Sequence, residues 1–293
     1  MFGTFKKYRG DGVIYKKILV VALPIVLQNV IDAAVNSVDV LMLNSVGQSA
    51  ISAVSLANSM IGIFFMFLYG IGTGIAMLAA QYYGKGDMKT IEKIEGIGLR
   101  FSLSVAIPAA IASIVIPKYL MYIYTSDPEL IEIGSRYIVM IAPGLLFWAV
   151  SAVYMSILRC IGRVATSTVL EIGALICNVG LNAVFIFGLF GAPKLGVVGV
   201  ALATTLSRLL QLLGCFAVSL GRPGVRLTFR TMFKISPVLQ KDFFSMALPA
   251  IGNDLVWSVA FSMYSIILGH LGNDAVAANS IVNVVRNLGC VFC

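Results

Sequence analysis

The chain has 293 residues, of which 59% are apolar and only 12% are charged, and its mean hydropathy is +0.95. Soluble domains contain about 45–50% apolar and about 25% charged residues, so this composition excludes a water-soluble globule. The sequence has no Gly-X-Y period and no long polar tract, which excludes collagen and a disordered chain. The composition is typical of an integral membrane protein.

Seven long apolar runs, each about 20 residues or more, are sufficient to cross the hydrocarbon core as helices. The predicted spans cover residues 18–43, 52–80, 96–117, 131–157, 167–187, 197–219 and 243–268, and an eighth begins near residue 277. The runs are continuous rather than alternating, which excludes a membrane β-barrel. Residues 1–17 form a basic segment before the first span, which we expect to remain attached.

The Lys and Arg residues are concentrated in alternate connectors. Fifteen of the 21 lie in the N-terminal segment and in the connectors after the second, fourth and sixth spans, whereas the other connectors contain only Lys118 and Lys194. Cytoplasmic loops are enriched in Lys and Arg, so we predict a multi-pass protein of the plasma membrane with a cytoplasmic N-terminus. The net charge of +8 is then explained by topology and by contact with lipid headgroups, and we expect no nucleic-acid partner.

The sequence contains an internal repeat with a spacing of 225 residues. The two copies share the Ala-Leu-Pro sequences at 22–24 and 247–249, and Gly47 and Asn58 match Gly272 and Asn283. Because one repeat unit contains six spans, both copies enter the membrane in the same direction. Parallel repeats of this kind form the two lobes of many secondary transporters.

The repeat predicts the domain organisation of an all-α membrane protein. We expect a six-helix N-terminal lobe at residues 18–219 and a basic cytoplasmic linker at 220–242. Residues 243–293 would be the first one to two helices of a second, parallel-repeat lobe. The chain would then be a truncated twelve-helix transporter, and the rest of the C-terminal lobe would be its missing partner.

Polar residues interrupt the first predicted span at helical spacing. Asn29, Asp32, Asn36 and Asp39 are separated by three, four and three residues, so they share one face of a helix. A carboxylate at the centre of a membrane helix costs about 2.5–3.5 kcal/mol on insertion scales. We therefore expect this face to border the lobe interior or a cavity rather than lipid.

The fifth predicted span has the same pattern in Glu171, Asn178 and Asn182. We expect an oxygen-rich pocket, suited to a proton or to a hard cation such as Na⁺, from Asp32, Asn36, Asp39, Asn178 and Asn182. The alternative for the asparagines is that they only form hydrogen bonds between helices.

Arg208 lies deep in the sixth predicted span, where a buried cation needs a partner. Glu171, in the neighbouring span, is the candidate for a buried ion pair. The alternative is an Arg208 side chain that extends to the lipid headgroups. Charged groups well beyond about 8 Å apart would exclude the pair.

Four stretches together are similar to one known family. They are ALPIVLQNVIDAAVNSVDVLMLNSVGQSAISAVSLAN from residue 22, GIGTGIAMLAAQYYGKGD from residue 70, NVGLNAVFIFGLFGAPKLGVVGVALAT from residue 178, and the second Ala-Leu-Pro at 247–249. They resemble the multidrug and toxic compound extrusion (MATE) family of cation-coupled exporters over nearly the whole chain. The resemblance implies two six-helix lobes around a central cavity.

The resemblance also implies a cation-coupling site. Asp39 matches the acid that binds the coupling ion in several members, and Asn178 matches an asparagine of the same site. Asn182 lies where many relatives have a second acid. A threonine of the site corresponds to Thr204 or to Thr205. The coupling ion would be H⁺ or Na⁺, with Na⁺ at Asp39, Asn178 and Asn182, and no cofactor is expected.

The expected function is secondary active transport. The protein would exchange H⁺ or Na⁺ for organic cationic or amphipathic small molecules and export them across the membrane. The alternatives are a lipid-linked oligosaccharide or lipid flippase of the same superfamily, and an inactive fragment. The sequence has no nucleophile–base pair, metal cluster or cofactor motif, so we do not expect an enzyme.

Overall fold

The computed structural model describes residues 45–191, 193–221, 227, 229–233 and 236–290, with scattered residues between 26 and 43. These residues form α-helices and two short 3₁₀ helices, Leu189–Gly191 and Phe229–Phe233, and no strand occurs among them. The helices are α1 (Gln48–Gly84), α2 (Met88–Val115), α3 (Pro117–Tyr122), α4 (Pro128–Cys160), α5 (Val164–Phe187), α6 (Val197–Gly221), α7 (Pro237–Leu271) and α8 (Asn273–Cys290).

Six of the described helices, α1, α2 and α4 to α7, are long and apolar enough to cross a membrane. The predicted all-helical membrane class is therefore confirmed. Helix ends differ from the predicted spans: α2 begins at Met88 rather than 96, α7 at Pro237 rather than 243, and α8 at Asn273 rather than 277. Hydropathy detects only the apolar part of a helix, whereas caps such as Asp87 set its end. Most of the first predicted span, including all of 18–25, lies outside the described residues.

Helix α4 lies at the centre of the bundle, where it packs against α1, α2, α3, α5 and α6. The long helices alternate in direction. We call the end with the α1–α2, α4–α5 and α6–α7 connectors the basic end, because the sequence places Lys and Arg there. The other end, with the α2–α4, α5–α6 and α7–α8 connectors, is the opposite end. Helices α5 and α6 pack directly against each other, so the side chains discussed below lie between these two helices.

Helix α7 crosses α1 at very close range. A Cβ atom built on Gly70 would lie 2.7 Å from the Ile251 Cα atom, and one built on Gly74 would lie 2.8 Å from the Ala247 Cα atom. Small residues allow such close approach of helix backbones in membranes, where dispersion contacts drive association. The same two helices are joined nearer the opposite end by a 3.0 Å hydrogen bond between the Ser59 and Ser265 hydroxyls.

Polar contacts at the opposite end connect the starts of α1 and α8. Gln48 Nε2 donates to Asp274 Oδ1 at 2.7 Å, and Asn273 Nδ2 donates to Ser49 Oγ at 3.3 Å. In the 225-residue repeat, Asn273 is the counterpart of Gln48 and Asp274 is the counterpart of Ser49. Each of these two hydrogen bonds therefore joins the repeat counterparts of the residues that the other one joins. This is the pattern expected when the two copies of the repeat are related by a twofold axis.

The start of α2 gives a testable pH dependence. Asp87 Oδ2 accepts from the Thr90 hydroxyl at 2.6 Å and Oδ1 from the Thr90 amide at 3.1 Å, and these hydrogen bonds hold the pKa of Asp87 below its usual range. The stabilisation is complete above the unfolded pKa and is lost as the pH falls through the folded pKa. Asp87→Ala should therefore lower the melting temperature at neutral pH. Melting curves should show this difference shrinking in acid, and a difference independent of pH would contradict a charged cap.

Candidate functional site

The polar residues of α5 face the interior of the bundle. Glu171, Asn178 and Asn182 are all buried, whereas Val169 and Ile176 on other faces of the helix are 69% and 64% exposed. Because the three polar positions are spaced at seven and four residues, one helical face carries them all against α6.

Asn178 lies at the centre of a short series of hydrogen bonds. Its Nδ2 atom donates to Thr204 Oγ1 at 3.2 Å, and its Oδ1 atom accepts from Asn182 Nδ2 at 3.3 Å. The Thr204 hydroxyl in turn donates to the Val200 carbonyl oxygen at 3.0 Å. The structure thus brings together the predicted residues Asn178, Asn182 and Thr204 between α5 and α6. Amide and hydroxyl oxygens are suitable ligands for a hard cation.

The structure distinguishes Thr204 from Thr205, which the sequence comparison did not. Thr205 faces α4, where its hydroxyl donates to the Met140 carbonyl oxygen at 2.8 Å. A Cβ atom on Gly144 would lie 3.2 Å from the same hydroxyl oxygen, so α4 packs closely on this side. Thr204 is the threonine of the Asn178 group, and Thr205 fixes α6 to α4.

The predicted residues of the first span, Asp32, Asn36 and Asp39, lie outside the described residues, as does Asn29. Their association with Asn178 and Asn182 in a single pocket therefore remains a prediction. Two described residues of the same span, Val35 and Leu43, are buried at 9% and 3% exposure.

Glu171 and Arg208 meet between α5 and α6. Arg208 Nη1 lies 3.0 Å from Glu171 Oε1, and their side chains are 21% and 10% exposed. The structure thus brings the two predicted partners together. The same Nη1 atom donates to Gln211 Oε1 at 3.0 Å, and Gln211 Nε2 donates to Glu171 Oε2 at 2.6 Å. Each side chain of this triad therefore bonds to both of the others.

Sequence analysis missed Gln211, which is 2% exposed and completes the triad. A signal was present in the sequence: five residues of α6 with polar or thiol side chains are spaced at intervals of four, three, four and four. They are Thr204, Arg208, Gln211, Cys215 and Ser219. Such spacing places them on one helical face, which we call the α6 polar face. It spans roughly 22 Å at about 1.5 Å per residue, from the Asn178 group towards the basic end.

The fold and the α5–α6 group are those of a helical membrane protein with polar contacts between its helices. The MatE family model matches residues 24–184, which is more than half of the chain. The chain therefore belongs to the MatE family.

Individual relatives agree with this assignment. The chain is 26% identical over 267 residues to the probable multidrug resistance protein NorM of Bradyrhizobium diazoefficiens, covering 89% of this chain and 56% of that protein. It is 31% identical over 196 residues to the multidrug resistance protein MdtK of Yersinia enterocolitica, covering 64% of this chain and 41% of that protein. The chain thus spans about half the length of these curated relatives.

The fold is also similar to that of solved MATE structures. The MATE multidrug transporter DinF-BH superposes on this chain with a TM-score of 0.83 at 18% identity. The match covers 94% of this chain and 61% of that chain. At this identity the comparison supports the fold alone.

Proposed function

We propose that the whole protein is a secondary active transporter, which couples entry of H⁺ or Na⁺ to export of organic cationic or amphipathic small molecules. The observation that carries the proposal is the series of hydrogen bonds that joins the buried Asn182 and Asn178 to the half-buried Thr204. Burial of polar groups among membrane helices costs free energy, so polar residues retained there often have a function. These three side chains provide amide and hydroxyl oxygens, which are suitable cation ligands, at one place.

The negative charge of the proposed site comes from the first span. Asp39 is four residues from Val35 and four from Leu43, both of which are buried. In a helix this spacing predicts that Asp39 shares a face with Val35 and Leu43. The proposed cation site therefore consists of Asp32, Asn36, Asp39, Asn178, Asn182 and Thr204. Since Asn182 is uncharged, we expect weaker cation binding than in relatives with a second acid there.

The proposed orientation follows from charge. Lys and Arg at the basic end support a cytoplasmic location for that end and a cytoplasmic N-terminus, in the plasma membrane. The repeat counterparts at the starts of α1 and α8 support a two-lobed protein, with a substrate cavity between the lobes. Acidic groups near such a cavity favour organic cations as substrates.

Two adjacent threonines provide a matched test of the cation site. Thr204→Val removes the hydroxyl that bonds to Asn178, whereas Thr205→Val removes a hydroxyl that donates to the Met140 carbonyl oxygen of α4. We expect Thr204→Val to raise the cation concentration for half-maximal transport about tenfold, which equals about 1.4 kcal/mol. Thr205→Val should leave that concentration unchanged. Uptake of a fluorescent organic cation by proteoliposomes, driven separately by a pH gradient and by a Na⁺ gradient, provides the measurement and identifies the ion.

Asp39→Asn is the second arm of this test. It should abolish ion-driven transport while the protein still accumulates in the membrane, because the site would lose its charge. Undiminished transport in Asp39→Asn, or equal effects of the two threonine variants, would contradict the proposed site.

A further inference from the structure

Glu95 is a buried carboxyl that the proposed transport cycle does not use. It lies in α2, about two turns from the basic end, with 0% of its surface exposed. Neither of its side-chain oxygens has a hydrogen-bond partner. Glu171 differs in this respect, because its two oxygens accept hydrogen bonds from Arg208 and Gln211.

No ion pair joins Glu95 to a described cation, and the Arg163 side chain interacts electrostatically with the neighbouring Tyr154 rather than with Glu95. On its own helix, Glu92 contributes an unfavourable like charge. From α4, the fully buried Tyr154 lies close enough for electrostatic interaction with Glu95. The 3₁₀ helix Phe229–Phe233 packs against α2 next to Glu95: the Thr231 carbonyl carbon would lie 2.6 Å from a Cβ atom built on Gly96. A carboxylate without a partner in such an apolar position is strongly disfavoured relative to the neutral acid.

Polar groups connect this position to the α6 polar face. The Tyr154 side chain interacts with Ser219, and Ser219 Oγ accepts from the Leu227 amide at 2.7 Å. One turn along α6, the buried Cys215 interacts with Ser151 of α4. The α6 polar face then continues through Gln211 and Arg208 to Thr204. Glu95 is therefore the buried carboxyl at the basic end of a column of polar side chains that runs along α6.

We propose that Glu95 is a second proton-binding site, located at the basic end of this column. Its carboxylate takes a proton from water at that end and forms an O–H bond, and the neutral acid is the buried form described above. Release of the same proton to water regenerates the carboxylate. The assignment of a proton to Glu95 is independent of the proposed function, but its connection to transport rests on the cation site at Asn178 and Thr204.

Infrared spectroscopy of the reconstituted protein tests the site directly. A protonated carboxyl has a C=O stretching band that is separate from those of carboxylates, and exchange in D₂O shifts it. We expect the wild-type protein at neutral pH to show such a band, with an intensity of one carboxyl that is absent in Glu95→Gln. The matched control is Glu92→Gln, one turn away on the same helix, which should retain the band.

Several outcomes would overturn the proposal. A band of unchanged intensity in Glu95→Gln would show that Glu95 does not hold the proton. A band that does not shift in D₂O would show that the proton never exchanges with water. A proton-binding site must exchange its proton, so this result would contradict the proposal. If Glu95→Gln fails to accumulate, Glu95→Asp should shift the band, and an unshifted band would count against Glu95.

The proposed Glu95 proton site and the proposed cation site can be tested separately. The Glu95 band should persist in Thr204→Val, whatever that variant does to transport. If Thr204→Val leaves the ion dependence unchanged and the band still disappears in Glu95→Gln, only the proposed cation site fails. When both hold, Glu95→Gln should also flatten the pH profile of proton-driven transport, and Glu92→Gln should not.

Discussion

The variant Arg208→Met should lower the free energy of unfolding by roughly 3–5 kcal/mol, since removal of one member of a buried ion pair leaves an uncompensated charge. Glu171 would keep the hydrogen bond from Gln211 but would lose the cation 3.0 Å from its Oε1 atom. In the double variant Glu171→Gln/Arg208→Met, no charge remains at this pair. Most of the lost stability should therefore return, as replacement of whole buried pairs is often neutral or favourable.

A matched ion pair is available as a control. Arg136 lies 3.1 Å from Glu132 in α4, nearly the same separation, but the two side chains are 68% and 46% exposed. Exposed pairs contribute about 0–1 kcal/mol, so Arg136→Met should have a small effect. Unfolding curves in lipid bicelles give the free energy of unfolding of the wild-type protein, the two single variants and the double variant. Equal losses for Arg208→Met and Arg136→Met would show that burial does not determine the value of the first pair.

The sequence was sufficient to predict the residues of this pair but not its full chemistry. Arg208 and Glu171 are conspicuous because charges are rare in membrane spans, and helical spacing places Glu171 on the same face of α5 as Asn178 and Asn182. Gln211 is less conspicuous, because it carries no charge. Its role depends on the orientation of α5 and α6, which brings Nε2 within 2.6 Å of Glu171.

Thr204 and Thr205 show why packing was needed to define the candidate site. Adjacent residues of a helix project about 100° apart, so each contacts a different neighbour. Hydropathy is the same for both residues. Only the position of α6 between α4 and α5 directs one hydroxyl to Met140 and the other to Asn178.

Helix ends were predicted less well than helix existence. The hydrocarbon core requires about 20 apolar residues, which determines the number and class of the spans. Helices α1, α4 and α7 extend for 37, 33 and 35 residues, well beyond that length. The additional turns depend on caps and on contacts outside the hydrocarbon, such as the Asp87 cap of α2. The helical class and the positions of the long spans were therefore predictable, whereas the true bounds were not.

The α1–α7 crossing was also beyond sequence analysis, because small residues indicate close packing but not the partner. Gly70 and Gly74 are far from Ala247 and Ile251 in the chain. In the fold the four residues form one interface, with the backbones close enough that no Cβ atom fits on either glycine. This interface joins a helix of the predicted first lobe to a helix of the predicted second lobe.

Gly70→Val should therefore weaken the crossing strongly. The Cβ atom of the new side chain would lie 2.7 Å from the Ile251 Cα atom. Because Cα is a backbone atom, it cannot move away unless helix α7 moves with it. Overpacking of a close interface costs about 1–3 kcal/mol, and relief requires α7 to move away from α1. The control is Gly62→Val on the same helix, where a Cβ atom meets nothing within 4 Å.

The distance between the helices can be measured by cross-linking. The Ser59 and Ser265 hydroxyl oxygens are 3.0 Å apart, so a Cys pair at these positions should form a disulfide readily. Adding Gly70→Val to that pair should lower the melting temperature and the disulfide yield, while adding Gly62→Val should change neither. The control substitution adds the same side chain to the same helix, so any difference between the two proteins comes from the α7 contact. If Gly70→Val instead matches Gly62→Val in both measurements, then α7 does not lie against α1 at Gly70.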